Sequence, residues 1–138
     1  APKKRKTLTA ALTITGFREA LSQLDDSLQP VVTLSINGKR LDVFGPAAGP
    51  LVVYGTLDES DDLAWRRLST PDIGDPDLEV TVPVGTLNGT YRKQSTVGMK
   101  LAKQAGEYFI RTGQLDPSLT WESGDDVHNR LPPTRLRT

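Results

Sequence analysis

A chain of 138 residues is the size of one ordinary domain, since single domains cluster at roughly 100–150 residues. It has no Cys and a single His, which excludes disulfides, thiolate zinc sites, iron–sulfur clusters, Cys nucleophiles and multi-His metal sites. Lys and Arg number 17, as do Asp and Glu; no apolar run approaches the ~18–20 residues of a membrane-spanning helix, and no secretory-leader pattern opens the chain.

The zero net charge hides segregation. Lys3, Lys4, Arg5 and Lys6 form a basic block at the start. Between residues 57 and 79, Asp58, Glu59, Asp61, Asp62, Asp72, Asp75, Asp77 and Glu79 stand against Arg66 and Arg67. Between 91 and 113, Arg92, Lys93, Lys100, Lys103 and Arg111 stand against Glu107. Basic segments can meet phosphates, and an acidic middle can meet a basic neighbour.

Residues 1–7 read as a basic flexible arm, because like charges repel and nothing there can be buried. Thr7–Thr15 alternates Leu8, Ala10, Leu12 and Ile14 with smaller or polar residues, which predicts a strand with one buried face. Gly16 breaks that pattern. Phe17, Leu21, Leu24 and Leu28 then recur at helical spacing until Pro30. Val31–Ile36 and Lys39–Phe44 flank Asn37-Gly38, the preferred pair for a type I′ turn. A two-residue turn sets Leu34 opposite Leu41 and Val32 opposite Val43, with Thr33 opposite Asp42 on the other side. Residues 45–50 read as a loop and Leu51–Tyr54 as a short strand. Ser60 is expected to cap a short helix, with Asp61 and Asp62 in its first turn and Arg66 and Arg67 in its last, the order that suits a helix dipole.

Ser69 to Asp77 reads as a loop. Leu78–Val84 is a strand that Pro83 confines to an edge or bulge. Asn88-Gly89 predicts a second hairpin turn, with Thr90–Thr96 as the return arm. Ser95 or Thr96 is expected to cap the longest helix, with Val97, Leu101, Ala105, Tyr108 and Phe109 as its apolar stripe. Lys103–Glu107 and Glu107–Arg111 pair on its surface, and Gly113 and Pro117 end it. From Ser123 the chain reads as an extended arm. The expected architecture is therefore α+β: one small domain over 8–122, with an antiparallel sheet built on Asn-Gly hairpins, two or three packed helices, and arms at 1–7 and 123–138.

Residues able to carry chemistry are few. His128 sits on the expected tail, where a general base is poorly held, and reads as solvated. The acids at 58–79 do not fit the spacing of a calcium loop. Gly38-Lys39-Arg40 lacks the upstream Gly and the Ser/Thr of a phosphate loop. Asn88-Gly89-Thr90 matches a glycosylation acceptor but reads as a hairpin turn. Tyr91 beside Arg92-Lys93 is the one aromatic in a basic strand, the pattern that stacks on bases. Tyr54, Phe109 and Trp121 read as core or interface.

The expectation is a non-enzymatic, self-assembling structural protein without a cofactor or metal, such as a virus or phage particle subunit. Its partners would be further copies of itself and, through Lys3, Lys4, Arg5, Lys6, Arg92, Lys93, Lys100 and Lys103, the phosphate backbone of RNA or DNA, with no membrane. The alternative is a small stand-alone nucleic-acid-binding module. The first reading places the chain in a virion or host cytoplasm. Pro2–Lys6 resembles a nuclear import signal, which would add the nucleus.

Overall fold

The structure, a computed structural model, describes residues 7–9, 13–24, 31–70, 78–84 and 87–130. The basic block at residues 3–6 therefore lies outside the described residues. Six strands form one sheet: β1 (Thr7–Thr9), β2 (Val31–Ile36), β3 (Lys39–Phe44), β4 (Val52–Thr56), β5 (Arg66–Ser69) and β8 (Thr120–Glu122), in that spatial order. β1 runs parallel to β2, and every other pair is antiparallel. A separate two-stranded ribbon joins β6 (Glu79–Val84) to β7 (Leu87–Arg92). Helices α1 (Ile14–Ser22), α2 (Met99–Thr112) and α3 (Asp125–His128) complete a small α+β domain.

The β2–β3 pairing has the register that the hydrophobic alternation requires, with Leu34 opposite Leu41 and Val32 opposite Val43. Asn37 and Gly38 between them have φ of 46° and 84°, the two positive values of a type I′ turn. Alternation then divides the sheet into two buried faces. Val32, Leu34, Leu41, Val43, Val53 and Leu68 meet α1 and α2 through Phe17, Leu21, Ala102, Ala105 and Phe109. Val31, Phe44, Val52 and Tyr54 point the other way, into a second cluster with Trp65, Val82, Tyr91 and Val127.

Several sequence expectations are corrected. Of the strand expected over Thr7–Thr15, Thr7–Thr9 is a strand, residues 10–12 lie outside the described residues, and Ile14 and Thr15 are helical. Thr13 is the cause: its extended backbone and its hydroxyl, which accepts from the Gly16 N–H at 3.0 Å, start the helix there. Leu28 lies outside the described residues. The helix expected after Ser60 is a single 3₁₀ turn, Asp62–Ala64, capped by the Asp61 carboxylate; Arg66 and Arg67 belong to β5. Asn88 and Gly89 lie inside β7, not in a turn. Val84 pairs with Leu87, so only residues 85 and 86, outside the described residues, connect the ribbon. This register sets Val80 opposite Tyr91, and the Tyr91 ring lies where a side chain on Gly89 would be, 2.7 Å from that position. The sheet is thus not built on two Asn-Gly hairpins. Neither Ser95 nor Thr96 caps α2. Both are buried, and Gly98 stands at the N-cap. Glu107, expected to pair along α2, instead binds Arg18 of α1 at 2.9 Å.

Gly106 sets how closely α1 and α2 approach. A Cβ there would lie 2.1 Å from the buried Phe17 ring. Gly106→Ala gains about 1 kcal/mol of helix propensity but must displace a packed ring, which costs roughly 1–3 kcal/mol. The expected outcome is a lower Tm in a thermal melt; an unchanged or raised Tm would show that the helices do not pack at this point.

Candidate functional site

The strand register builds one polar row across the second face. Thr33 lies opposite Asp42, Asp42 opposite Tyr54, Tyr54 opposite Arg67, and Arg67 opposite Glu122. Directly opposed residues share a face, so the row crosses five strands from β2 to β8. At its β2–β3 end, the Thr33 hydroxyl donates to the Asp42 carboxylate at 2.7 Å and Arg40 donates to the same oxygen at 3.1 Å.

Arg67 is the centre of the row and is 0% exposed. Its Nε donates to Glu122 Oε1 at 2.6 Å and its Nη1 to the Tyr54 hydroxyl at 3.2 Å. Its Nη2 donates to Ser95 Oγ at 3.3 Å and to the Asp126 carboxylate. The rings of Tyr54 and Tyr91 lie 5.7 and 5.5 Å from its Cζ. A lone buried cation would be costly, and two carboxylates with aromatic π faces offset that cost. Burial pushes the Tyr54 hydroxyl up to about 12, against the pull of the Arg67 charge. Tyr54 thus stays neutral and donates to the Arg130 carbonyl at 2.5 Å.

Asp126 and Arg130 come from the segment expected to be an extended arm. Residues 125–128 instead form α3, Val127 is buried in the second cluster, and Arg130 lies over the Tyr91 ring with its Cζ 4.1 Å from the centroid. The Arg130 guanidinium also donates to the Thr90 carbonyl at 2.6 Å. Residues 131–138 lie outside the described residues. His128, expected to be solvated, has its Nε2 buried without a hydrogen-bond partner, as is the Trp65 indole nitrogen. Tyr91, the expected base-stacking residue, is buried and gives its face to Arg130.

The expected phosphate-binding residues are divided. Arg92 ends β7 with Nη2 3.5 Å from Glu122, at the margin of the polar row. Lys93 follows in the 3₁₀ turn Lys93–Ser95 and lines an open cleft of about 290 Å³ with Pro50, Thr70, Val97 and Gly98. That cleft brings Lys93 to the start of α2, where Lys100 is exposed; Lys103 is half-buried one turn further on. Among the described residues, no group of three or more His, Asp or Glu could hold a metal, and no helix is long and apolar enough to cross a membrane.

A second feature stands at the end of the sheet that carries the β2–β3 turn. The loop between β4 and β5 holds Asp58, Glu59, Asp61 and Asp62 in a fixed shape. Asp58 accepts from the Ser60 N–H and hydroxyl at 3.1 and 2.6 Å, and Asp61 accepts from the Leu63 N–H at 2.9 Å. The Glu59 N–H donates to the Gly38 carbonyl at 2.8 Å, tying the loop to the turn. Leu57 and Leu63 are left 43% and 67% exposed.

No family model, curated protein or solved structure matches the chain.

Sequence reasoning missed Arg67, Tyr54, Glu122, Asp126 and Arg130 as one unit. The signal is cross-strand register between distant segments, which no local spacing carries. Removing the cation leaves carboxylates without their partner, so Arg67→Met is expected to cost on the order of 3–5 kcal/mol in urea unfolding. A loss within experimental error would contradict the burial of that charge. Asp126 gives a pH test. Burial works against its charge, but the hydrogen bond and charge of Arg67, with Arg130, hold its pKa below the ordinary carboxylate value. A folded pKa below the unfolded one means stability that is complete above about 3.9. That stability is lost as pH falls through the folded value. The parent should therefore lose more stability between about pH 5 and 2 than Asp126→Asn does; parallel curves would show that the Asp126–Arg67 bond contributes nothing.

Proposed function

We infer that the protein is a non-enzymatic domain that works by binding a basic partner through the acidic end of its sheet. The observation that carries this reading is the ordered loop 57–64, which has four acidic residues between two exposed leucines on backbone fixed by side-chain caps. A loop already held in shape loses little further entropy on binding. Exposed ion pairs contribute only about 0.2–1 kcal/mol each, so the charges steer a partner rather than hold it. Burying the parts of Leu57 and Leu63 still exposed, 43% and 67%, adds roughly 0.6–2 kcal/mol each, so the partner must offer an apolar spot within its basic surface.

A second copy of the chain is one such partner. β1 starts at Thr7, opposite Val31, at the end of the sheet remote from the Asn37-Gly38 turn. The basic block Lys3–Lys6 therefore joins the domain at the opposite end from the acidic loop. Contact between them would run head to tail between copies, the arrangement that closes into rings or extends into fibres. In that form the protein is a self-assembling structural subunit, such as that of a virus or phage particle, and its basic segment can also meet nucleic-acid phosphates. The alternative, a stand-alone nucleic-acid-binding module, is supported by Lys93 at the cleft beside the α2 start that carries Lys100.

The test is an NMR titration of the full chain with a peptide copying residues 1–12, beside light scattering across protein concentration and salt. Shifts confined to residues 57–64, abolished in Glu59→Lys/Leu63→Ser, are expected. That variant should fold as stably as the parent, because surface substitutions lie within about 0.5 kcal/mol. Salt-sensitive growth in mass would assign the partner to a second copy. A peptide that shifts nothing, with duplex DNA instead shifting Lys93 and Lys100, would replace the reading with the nucleic-acid one.

A further inference from the structure

The structure assigns α3 and Arg130 the role of a strap closed by an internal ligand: the Asp126 carboxylate occupies a preformed carboxylate site on Arg67, and opening of the strap frees that site for an external carboxylate. Arg67 is wholly buried, whereas the Asp126 side chain is 52% exposed. The anion thus sits on the solvent side of the pair. The other partners of Arg67 come from outside the strap, and the Tyr54 hydroxyl, which also donates to the Arg130 carbonyl, gives up that acceptor when the strap opens. Tyr54 comes from β4, Ser95 from the turn before α2, and Glu122 from β8, and each binds Arg67 directly. When Asp126 leaves, Glu122 still balances the Arg67 charge, so the open state holds no lone buried ion. What is freed is one face of Nη2, which suits a single carboxylate.

Besides the Asp126 bond, the strap is held at its end by Arg130, whose carbonyl accepts from Tyr54 and whose guanidinium lies over the Tyr91 ring and donates to the Thr90 carbonyl; α3 itself adds little. A four-residue helix has no stability of its own. Its internal backbone hydrogen bonds run from Val127 and His128 to the Gly124 carbonyl, from Asn129 to that of Asp125 and from Arg130 to that of Val127. One apolar side chain, Val127, is buried beneath it. His128 Nε2 is buried without a partner, and opening gives it water, which lowers the cost of release. Gly124 joins strap to β8 at φ 111°, a conformation open to glycine and strained for other residues.

Native-state hydrogen exchange on the full chain tests this, with acetate as the probe. In Asp126→Ala, protection at Val127, His128 and Asn129 should fall roughly tenfold or more, the loss of one charge-assisted hydrogen bond, while Leu34 and Leu41 keep theirs. Acetate should restore that protection saturably, and chloride at equal ionic strength should not. Asp126→Asn, which keeps the side-chain shape, should show the same local loss and less response to acetate. Loss of protection in β2 and β3 together with α3 would overturn the strap, because opening would then be global unfolding. Equal effects of acetate and chloride would overturn the carboxylate site.

Discussion

A buried guanidinium is the constraint that the second face of this domain satisfies. Arg67 is placed on β5 by strand alternation and faces inward, with Tyr54 on one side and Glu122 on the other. An uncompensated charge there would cost a domain much of the roughly 5–15 kcal/mol by which proteins are stable. Two carboxylates reach it, each from a short element that is otherwise held by β5 pairing and Trp121 for β8 and by Val127 and Arg130 for α3. β8 has three residues and α3 has four. The cation thus adds an ionic tie to the last two described elements, and the aromatic rings of Tyr54 and Tyr91 fill the space around it.

The two faces of the sheet are held by different physics. The face toward α1 and α2 is an apolar core closed by the Phe17–Gly106 contact. The opposite face mixes apolar residues with the row from Thr33 to Glu122, and its cover is a ribbon and a short helix. Its ionic bonds are directional, so they specify where that cover sits more sharply than apolar contact alone would. At one end of the sheet a capped acidic loop presents leucines, and at the other lies Thr7, where β1 begins. The polarity that underlies the proposed binding role is thus a product of strand order.

What was legible in the sequence was local. Asn37-Gly38 fixed a register because the turn has two residues and both arms alternate cleanly. Gly113, with φ 70°, ended α2 as its spacing implied. Local signals also misled. Asn88-Gly89 has the composition of a turn, but Gly89 makes room for the Tyr91 ring. Arg66 and Arg67 follow an expected cap at Ser60 that the structure moves to Asp61, and the helix it starts lasts only one 3₁₀ turn. The segment after Ser123 has the composition of an arm, but its residues 125–130 are tied to the sheet through Arg67, 59 residues upstream of Asp126. The polar row was not readable because its members meet only through the pairing of five strands.

The most direct measurement is the exchange rate of the Arg67 side-chain Nε–H with water, read by NMR at neutral pH. A guanidinium that is 0% exposed and bonded through Nε to Glu122 at 2.6 Å should exchange far more slowly than that of Arg18, which is 56% exposed. Its Nε–H should also show contacts to the Tyr54 ring. Exchange as fast as that of Arg18 would contradict the account, because the charge that orders the second face would then be in water.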